Sequence, residues 1–160
     1  MDPEVPVLSV MELGIVRGVE VVGGTVTVTI TPTYSGCPAM HVIEAEIRAA
    51  LLDAGFDDVR IETVFAPAWT TDWIAAPARE KLRAYGIAPP GPVAREESGA
   101  PIALGRTVRT VPAAPSVPAV PCPYCGSPDT VVESEFGSTA CKSLLSCRTC
   151  HQPFEHFKAF

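Results

Sequence analysis

Two pairs of cysteines carry the strongest chemical signal in this sequence. Cys122-Pro-Tyr-Cys125-Gly126 is followed, 21 residues later, by Cys147-Arg-Thr-Cys150. A two-residue gap lets both thiolates of a tight turn point at one ion, and Gly126 permits the sharp backbone approach. Two such knuckles complete a tetrahedral shell of four sulfurs, which suits zinc. Iron accepts the same shell, and Cys-Pro-x-Cys-Gly resembles a rubredoxin knuckle. Spacing alone leaves both metals open and favours zinc.

The other reactive side chains are read against that centre. Cys147-Arg-Thr-Cys150-His151 also fits the Cys-x-x-Cys-His pattern of c-type haem attachment, but that chemistry requires export and leaves Cys122 and Cys125 unexplained. His151 and His156 read as surface residues, with His151 a weak substitute ligand. Cys141 is the odd cysteine of the tail: a fifth thiol near the metal, or a buried small apolar residue, which the spacing favours. Cys37 precedes Pro38, a residue suited to the first position of a helix. That places Cys37 at the helix N-cap, where free N–H groups and the dipole lower a thiol pKa. Such a cysteine serves as nucleophile, redox sensor, soft-metal ligand or plain structural cap. His41, one turn along, reads as a helix-surface residue. Asp2 and Glu4 are paired carboxylates with no nucleophile or oxyanion donor in view, and no catalytic residue is assigned.

The elements that must position these groups are legible. Val19 to Ile30 reads as a hairpin turning at Gly23-Gly24, with Val26, Val28 and Ile30 facing a core. A helix is expected from Pro38 to about Ala54, with Met40, Ile43, Ile47, Ala50, Leu51 and Ala54 as its apolar stripe and Gly55 as its stop. Val59, Ile61, Thr63 and Phe65 alternate as a third strand. A second helix, Pro77 to Tyr85, should turn Leu82 and Tyr85 inward. Trp69 and Trp73 read as a loop packing on the sheet. Val131-Val132 and Phe136 read as strands of a ribbon between the knuckles.

The expected fold class is α+β: a small three-stranded sheet with helices on one face, followed by a C-terminal zinc ribbon. The expected domains are 1–88, a proline-rich linker at 89–121, and 122–160. Eight prolines fall within that linker, giving it polyproline character, although Arg106 to Val111 could add an edge strand. The first segment, ending near Pro90, is expected to fold alone.

Charge narrows the partners. Residues 1–86 carry 6 basic and 12 acidic side chains, whereas the remainder carries 6 of each. An acidic first half argues against nucleic acid, whose affinity rests on Lys and Arg at phosphates. No stretch approaches the roughly 18 apolar residues of a membrane span, and Met1-Asp-Pro-Glu lacks the basic start of a signal peptide. A cytoplasmic location is expected, where six cysteines would be ligands or reactive groups rather than disulfides.

Several stretches together mark a family. Asp2-Pro-Glu-Val-Pro-Val-Leu-Ser9, Leu13-Gly-Ile-Val-Arg17 and Thr31-Pro-Thr-Tyr-Ser-Gly-Cys-Pro38 resemble the small domain shared by SufT-type and cytosolic iron–sulfur assembly factors. Phe136-Gly-Ser-Thr-Ala-Cys-Lys142 and Pro153-Phe-Glu-His-Phe-Lys158 narrow the resemblance to the PaaD (or PaaJ) family, subunits of bacterial phenylacetyl-CoA epoxidases. The end, Ala159-Phe160, departs from that family's cysteine or proline after the lysine. The resemblance implies a non-catalytic accessory subunit of phenylacetyl-CoA epoxidation in aerobic phenylacetate degradation. It would assist assembly of an iron or iron–sulfur centre, with Cys37 holding a transient cluster or iron and Cys122, Cys125, Cys147 and Cys150 holding structural zinc. Its partners would be the di-iron oxygenase and reductase components or the iron–sulfur assembly machinery, with a homodimer allowed for. The alternative is an oxygenase component with a structural or electron-transfer role in turnover.

Overall fold

Alternating Thr and β-branched residues build the central strand of the first sheet. Strand β1 (Val16–Val22) and strand β2 (Thr25–Ile30) form the expected hairpin. Gly23 and Gly24 turn it at φ +59° and +91°, values that side chains with a Cβ resist. Val26, Val28 and Ile30 are buried, as their alternation requires. Helix α1 (Met40–Asp53) then crosses over to strand β3 (Asp58–Thr63), which lies parallel to β2. A parallel neighbour cannot be reached through a tight turn, so the helix is the connection. Sheet order is β1-β2-β3. Helix α2 (Ala76–Tyr85) adds Ala78 and Leu82 to the same core. These residues and all others reported come from a computed structural model that describes residues 1–93 and 119–160.

Several sequence expectations change at the ends of elements. Helix α1 begins at Met40 with Ala39 as its N-cap, so Cys37 and Pro38 lie in the preceding turn. Along its stripe Met40 and Ile43 are buried and Ile47 and Leu51 partly so, while Ala50 and Ala54 face solvent. Strand β3 stops before Phe65, which is exposed, and Tyr85 points outward rather than inward. Among its described residues the second half has no helix to impose a period, and Phe136 falls beyond strand Thr130–Ser134 and is exposed. Most of the proline-rich stretch, including Arg106 to Val111, lies outside the described residues.

That second half is a four-stranded sheet. Strand β4 (Ile87–Ala88), β5 (Thr130–Ser134), β6 (Lys142–Cys147) and β7 (Pro153–Phe157) run in the order β4-β7-β6-β5. The two halves thereby share structure. Ile87 and Ala88, at the end of the first segment, pair in parallel with Glu155 and His156. In the other direction, Cys141 and Phe157 sit in the core that holds Leu8, Leu13, Ile15 and Trp69. The Trp69 ring lies 6.1 Å from Phe157 and 6.2 Å from Phe160, within the range of aromatic pairs.

A buried lysine completes the seam. Lys142 is 3% exposed, pairs with Glu155 at 2.9 Å and donates to the Glu4 carbonyl at 3.2 Å. Partial burial alone would raise the Glu155 pKa. Lys142 and the Ser138 N–H outweigh that effect and hold the carboxylate below its usual range. Such a pair is costly to break from one side, because the remaining charge is left without a partner.

Two outcomes follow from this packing. Removing the Phe157 ring empties a core built by both halves, so Phe157→Ala should cost about 3–5 kcal/mol. Urea unfolding of the native chain should show one coincident transition by tryptophan fluorescence and by metal release; two separated transitions would contradict the shared core. His156, expected at the surface, is half-buried on β7 beside Ser143, and burial lowers its pKa from 6.5 to about 4. The unfolded chain therefore binds the extra proton between those values, so stability is full above pH 6.5 and declines as pH falls towards 4. Melting temperatures at pH 7 and 5 should differ less in His156→Gln than in the native chain.

Candidate metal centre

The two knuckles have the same backbone. In the first, Cys122 N–H bonds the Ser127 carbonyl at 2.9 Å and Gly126 N–H returns to the Cys122 carbonyl at 2.9 Å. In the second, Cys147 N–H bonds the Gln152 carbonyl at 3.0 Å and His151 N–H returns to the Cys147 carbonyl at 2.9 Å. The residue after each second cysteine takes positive φ, +74° at Gly126 and +59° at His151. His151 thus fills the position that glycine fills opposite it, and histidine is among the side chains that tolerate this region. That role accounts for the Cys-x-x-Cys-His pattern without haem, and His151 stays exposed and apart from the thiol group.

The sulfurs converge. Cys122 and Cys150 sulfurs lie 3.7 Å apart, Cys125 and Cys147 sulfurs 3.6 Å, and all four lie within 4.8 Å of one another. Four sulfurs at about 2.3 Å from one tetrahedral ion lie about 3.8 Å apart, so the shell fits a single cation. The thiols are already biased unequally. N–H groups of Cys150 and Thr149 hold the Cys147 thiol down to about 6. At Cys125 the Ser127 N–H also lowers the pKa, but desolvation and the neighbouring thiols prevail and push it up to about 12. Four thiolates in this volume require a cation to offset their repulsion.

Cys37 is placed elsewhere. It lines a small cavity with Cys141, Asp2, Glu4 and Thr33, about 10 Å³ in volume and bounded by Leu13, Ile15 and Phe157. The expected N-cap activation is reversed there. Burial raises the Cys37 pKa, the Ala39 N–H opposes it, and Glu4 adds a further upward push. Burial likewise raises Cys141, whose sulfur lies 3.1 Å from the Thr139 hydroxyl. Cys141 is therefore the buried small residue its spacing favoured, far enough from the knuckles to be absent from the four-sulfur group. The paired acids also find company that the sequence did not show. Asp2 is buried and its Oδ1 accepts the N–H groups of Glu4 and Val5 at 2.8 and 2.7 Å.

Known proteins share both halves. Residues 108–158 match the family described as PaaD zinc beta ribbon domain, and residues 1–63 match that described as iron-sulfur cluster assembly protein. The chain is 44% identical over 157 residues to an Escherichia coli protein named as a putative subunit of 1,2-phenylacetyl-CoA epoxidase, covering 98% of this chain and 85% of that one. It belongs to the PaaD family.

Shorter relatives match the first half of this PaaD-family chain alone. A Porphyromonas gingivalis "Fe-S protein maturation auxiliary factor" is 37% identical over 83 residues, 51% of this chain and 78% of its own. A Bacillus subtilis protein of the same description, YitW, is 33% identical over 84 residues, 51% of this chain and 81% of its own. A zinc-ribbon tail is thus joined to an iron–sulfur assembly domain, in the order the motifs predicted.

Cys125 is exposed, so replacing it disturbs little except the shell. Cys125→Ser should abolish stoichiometric metal and make residues 119–160 protease-sensitive, because a structural ion supplies on the order of 10 kcal/mol to so small a fold. His151→Gly should keep a full equivalent of metal, whereas a β-branched residue there should weaken it. Retention of a full equivalent by Cys125→Ser would refute the four-sulfur assignment.

Proposed function

We propose that this chain is a cytoplasmic auxiliary subunit of a 1,2-phenylacetyl-CoA epoxidase system that assists assembly of a partner's iron or iron–sulfur centre. Residues 1–88 are its assembly domain, 89–121 its linker and 122–160 a ribbon holding structural zinc on Cys122, Cys125, Cys147 and Cys150. Cys37 is the transient ligand. One observation carries the reading: similarity to the Escherichia coli epoxidase subunit runs through both halves, whereas relatives matching only the first half are named for Fe-S protein maturation. The clients are the oxygenase or reductase components of the epoxidase, reached directly or through the iron–sulfur machinery. No helix among the described residues is long and apolar enough to cross a membrane, in keeping with a protein that meets its clients in solution.

The chemistry asked of Cys37 suits its setting. A thiol whose pKa is raised by burial and by Glu4 stays protonated until a cation arrives, then gives up its proton to bind it. That behaviour suits temporary holding better than storage. Cys37 is only partly buried, so a client surface can approach it.

The test is complementation. Cells lacking this gene would be grown on phenylacetate with the native chain or with Cys37→Ser, a change worth about 1 kcal/mol of stability. Iron content and turnover of the purified epoxidase should fall several-fold with Cys37→Ser, while the chain itself accumulates normally. Restoration of both to the native level would remove the thiol from the function. Metal analysis of anaerobically purified protein belongs beside it: iron in place of zinc in the ribbon would favour an electron-transfer role in turnover.

A further inference from the structure

Each half of the chain holds one cysteine that the ribbon centre does not use, and the fold brings both to one cavity. Cys37 precedes α1; Cys141 is the last residue before β6. Together with Asp2, Glu4 and Thr33 they line the same small, partly open cavity beside Phe157. The seam described above fixes this arrangement, since Lys142, adjacent to Cys141, bonds the Glu4 carbonyl at 3.2 Å.

We propose that Cys37 and Cys141 are the two thiolate ligands of a second metal site that takes one borderline divalent cation of the ferrous class, with Glu4 as its oxygen donor. The identity of the cargo as iron rests on the assembly function above; the site itself rests on the cavity. Thiolates select soft or borderline cations, and one carboxylate suits a divalent ion that must also be released. Of the two carboxylates lining the cavity, Glu4 is assigned as the donor because Asp2 already accepts two backbone N–H groups through Oδ1. Lys142, paired with Glu155 at 2.9 Å, lies close enough to oppose the upward push of burial on Glu4 and Cys141 and so favours their ionised, metal-binding forms.

Volume decides what can be held. About 10 Å³ is room for one water-sized atom. A two-iron cluster has four heavy atoms before its ligands are counted, so this cavity admits a single ion and not a cluster. The donor atoms are also not drawn together as the ribbon sulfurs are: among the described residues those four are the only group of three or more His, Cys, Asp or Glu side chains already converged for a metal ion. An ion must pull the cavity ligands in, which makes the site weaker than the ribbon shell and exchangeable. Burial raises the pKa of Cys37, Cys141 and Glu4 alike, the condition a divalent cation relieves. Binding displaces two thiol protons to solvent, so affinity should fall up to about 100-fold per pH unit below the thiol pKa values.

The experiment uses the full-length chain with zinc in the ribbon, titrated anaerobically with Co²⁺ as the spectroscopic probe and then with Fe²⁺. Zinc outcompetes cobalt in the four-sulfur shell, so added cobalt reports the second site. The native chain should take one further equivalent, release two protons per ion and develop a thiolate-to-cobalt charge-transfer band. Cys141→Ser and Cys141→Ala should keep ribbon zinc, release one proton, show about half the band and bind at least tenfold more weakly. No second equivalent, one proton from the native chain, or native-like binding by both variants would overturn the site. The proton count on the native chain decides the matter even where a variant misfolds. Should both thiols bind the ion while Cys37→Ser still matures the epoxidase, the assembly function fails and the site stands. A Cys37-dependent epoxidase with no second ion removes the site and leaves the assembly function standing.

Discussion

Four thiol sulfurs held within 4.8 Å of one another cannot all ionise without a cation, and that electrostatic demand governs the second half of the chain. The cluster beneath the ribbon consists of Ala88, Cys122, Leu145, Cys147 and Phe154, with Val120 and Cys150 at its margin. Three of those seven residues are sulfur ligands, leaving too little hydrocarbon to fix β5, β6 and β7 unaided. Once the knuckles are pinned, β6 and β7 become rigid enough to carry Cys141, Lys142 and Phe157 into the first half. The fold of the tail therefore controls the surroundings of Cys37, although no ribbon ligand touches it.

Much of this was written in local pattern. The Thr-Val alternation of β2, the Gly23-Gly24 turn and the paired Cys-x-x-Cys spacings each state a geometry that neighbours in sequence suffice to impose. The helix start was harder to read. Pro38 fits a first helical position, yet Tyr34 to Ala39 form turns and the helix waits until Met40. Because the cap moved, the predicted activation of Cys37 gave way to burial, which acts in the opposite direction. His151 shows a different limit: its spacing suggested haem, while its backbone shows a left-handed turn residue paired with Gly126.

What sequence could not show were contacts across more than a hundred positions. Cys37 and Cys141 are separated by most of the chain, as are Glu4 and Lys142. Nothing in local periodicity announces that Ile87 and Ala88 will serve as an edge strand for β7, since two residues carry no alternation to detect. Odd cysteines were the available hint. Each half holds one beyond its evident needs, and in a reduced setting an unassigned thiol invites the question of what it faces.

The Phe157 plug has a consequence for synthesis. Residues 1–88 are synthesised well before Phe157, since 69 positions separate Ala88 from Phe157. At roughly 5–20 residues per second, that gap lasts several seconds. During it Leu8, Leu13, Ile15 and Trp69 lack the ring that later covers them, and Asp2, Glu4 and Cys37 are open to water. A nascent chain is thus adhesive at the spot that Phe157 later covers. Because the first half precedes the tail in the chain, this cavity closes only after the tail has been made.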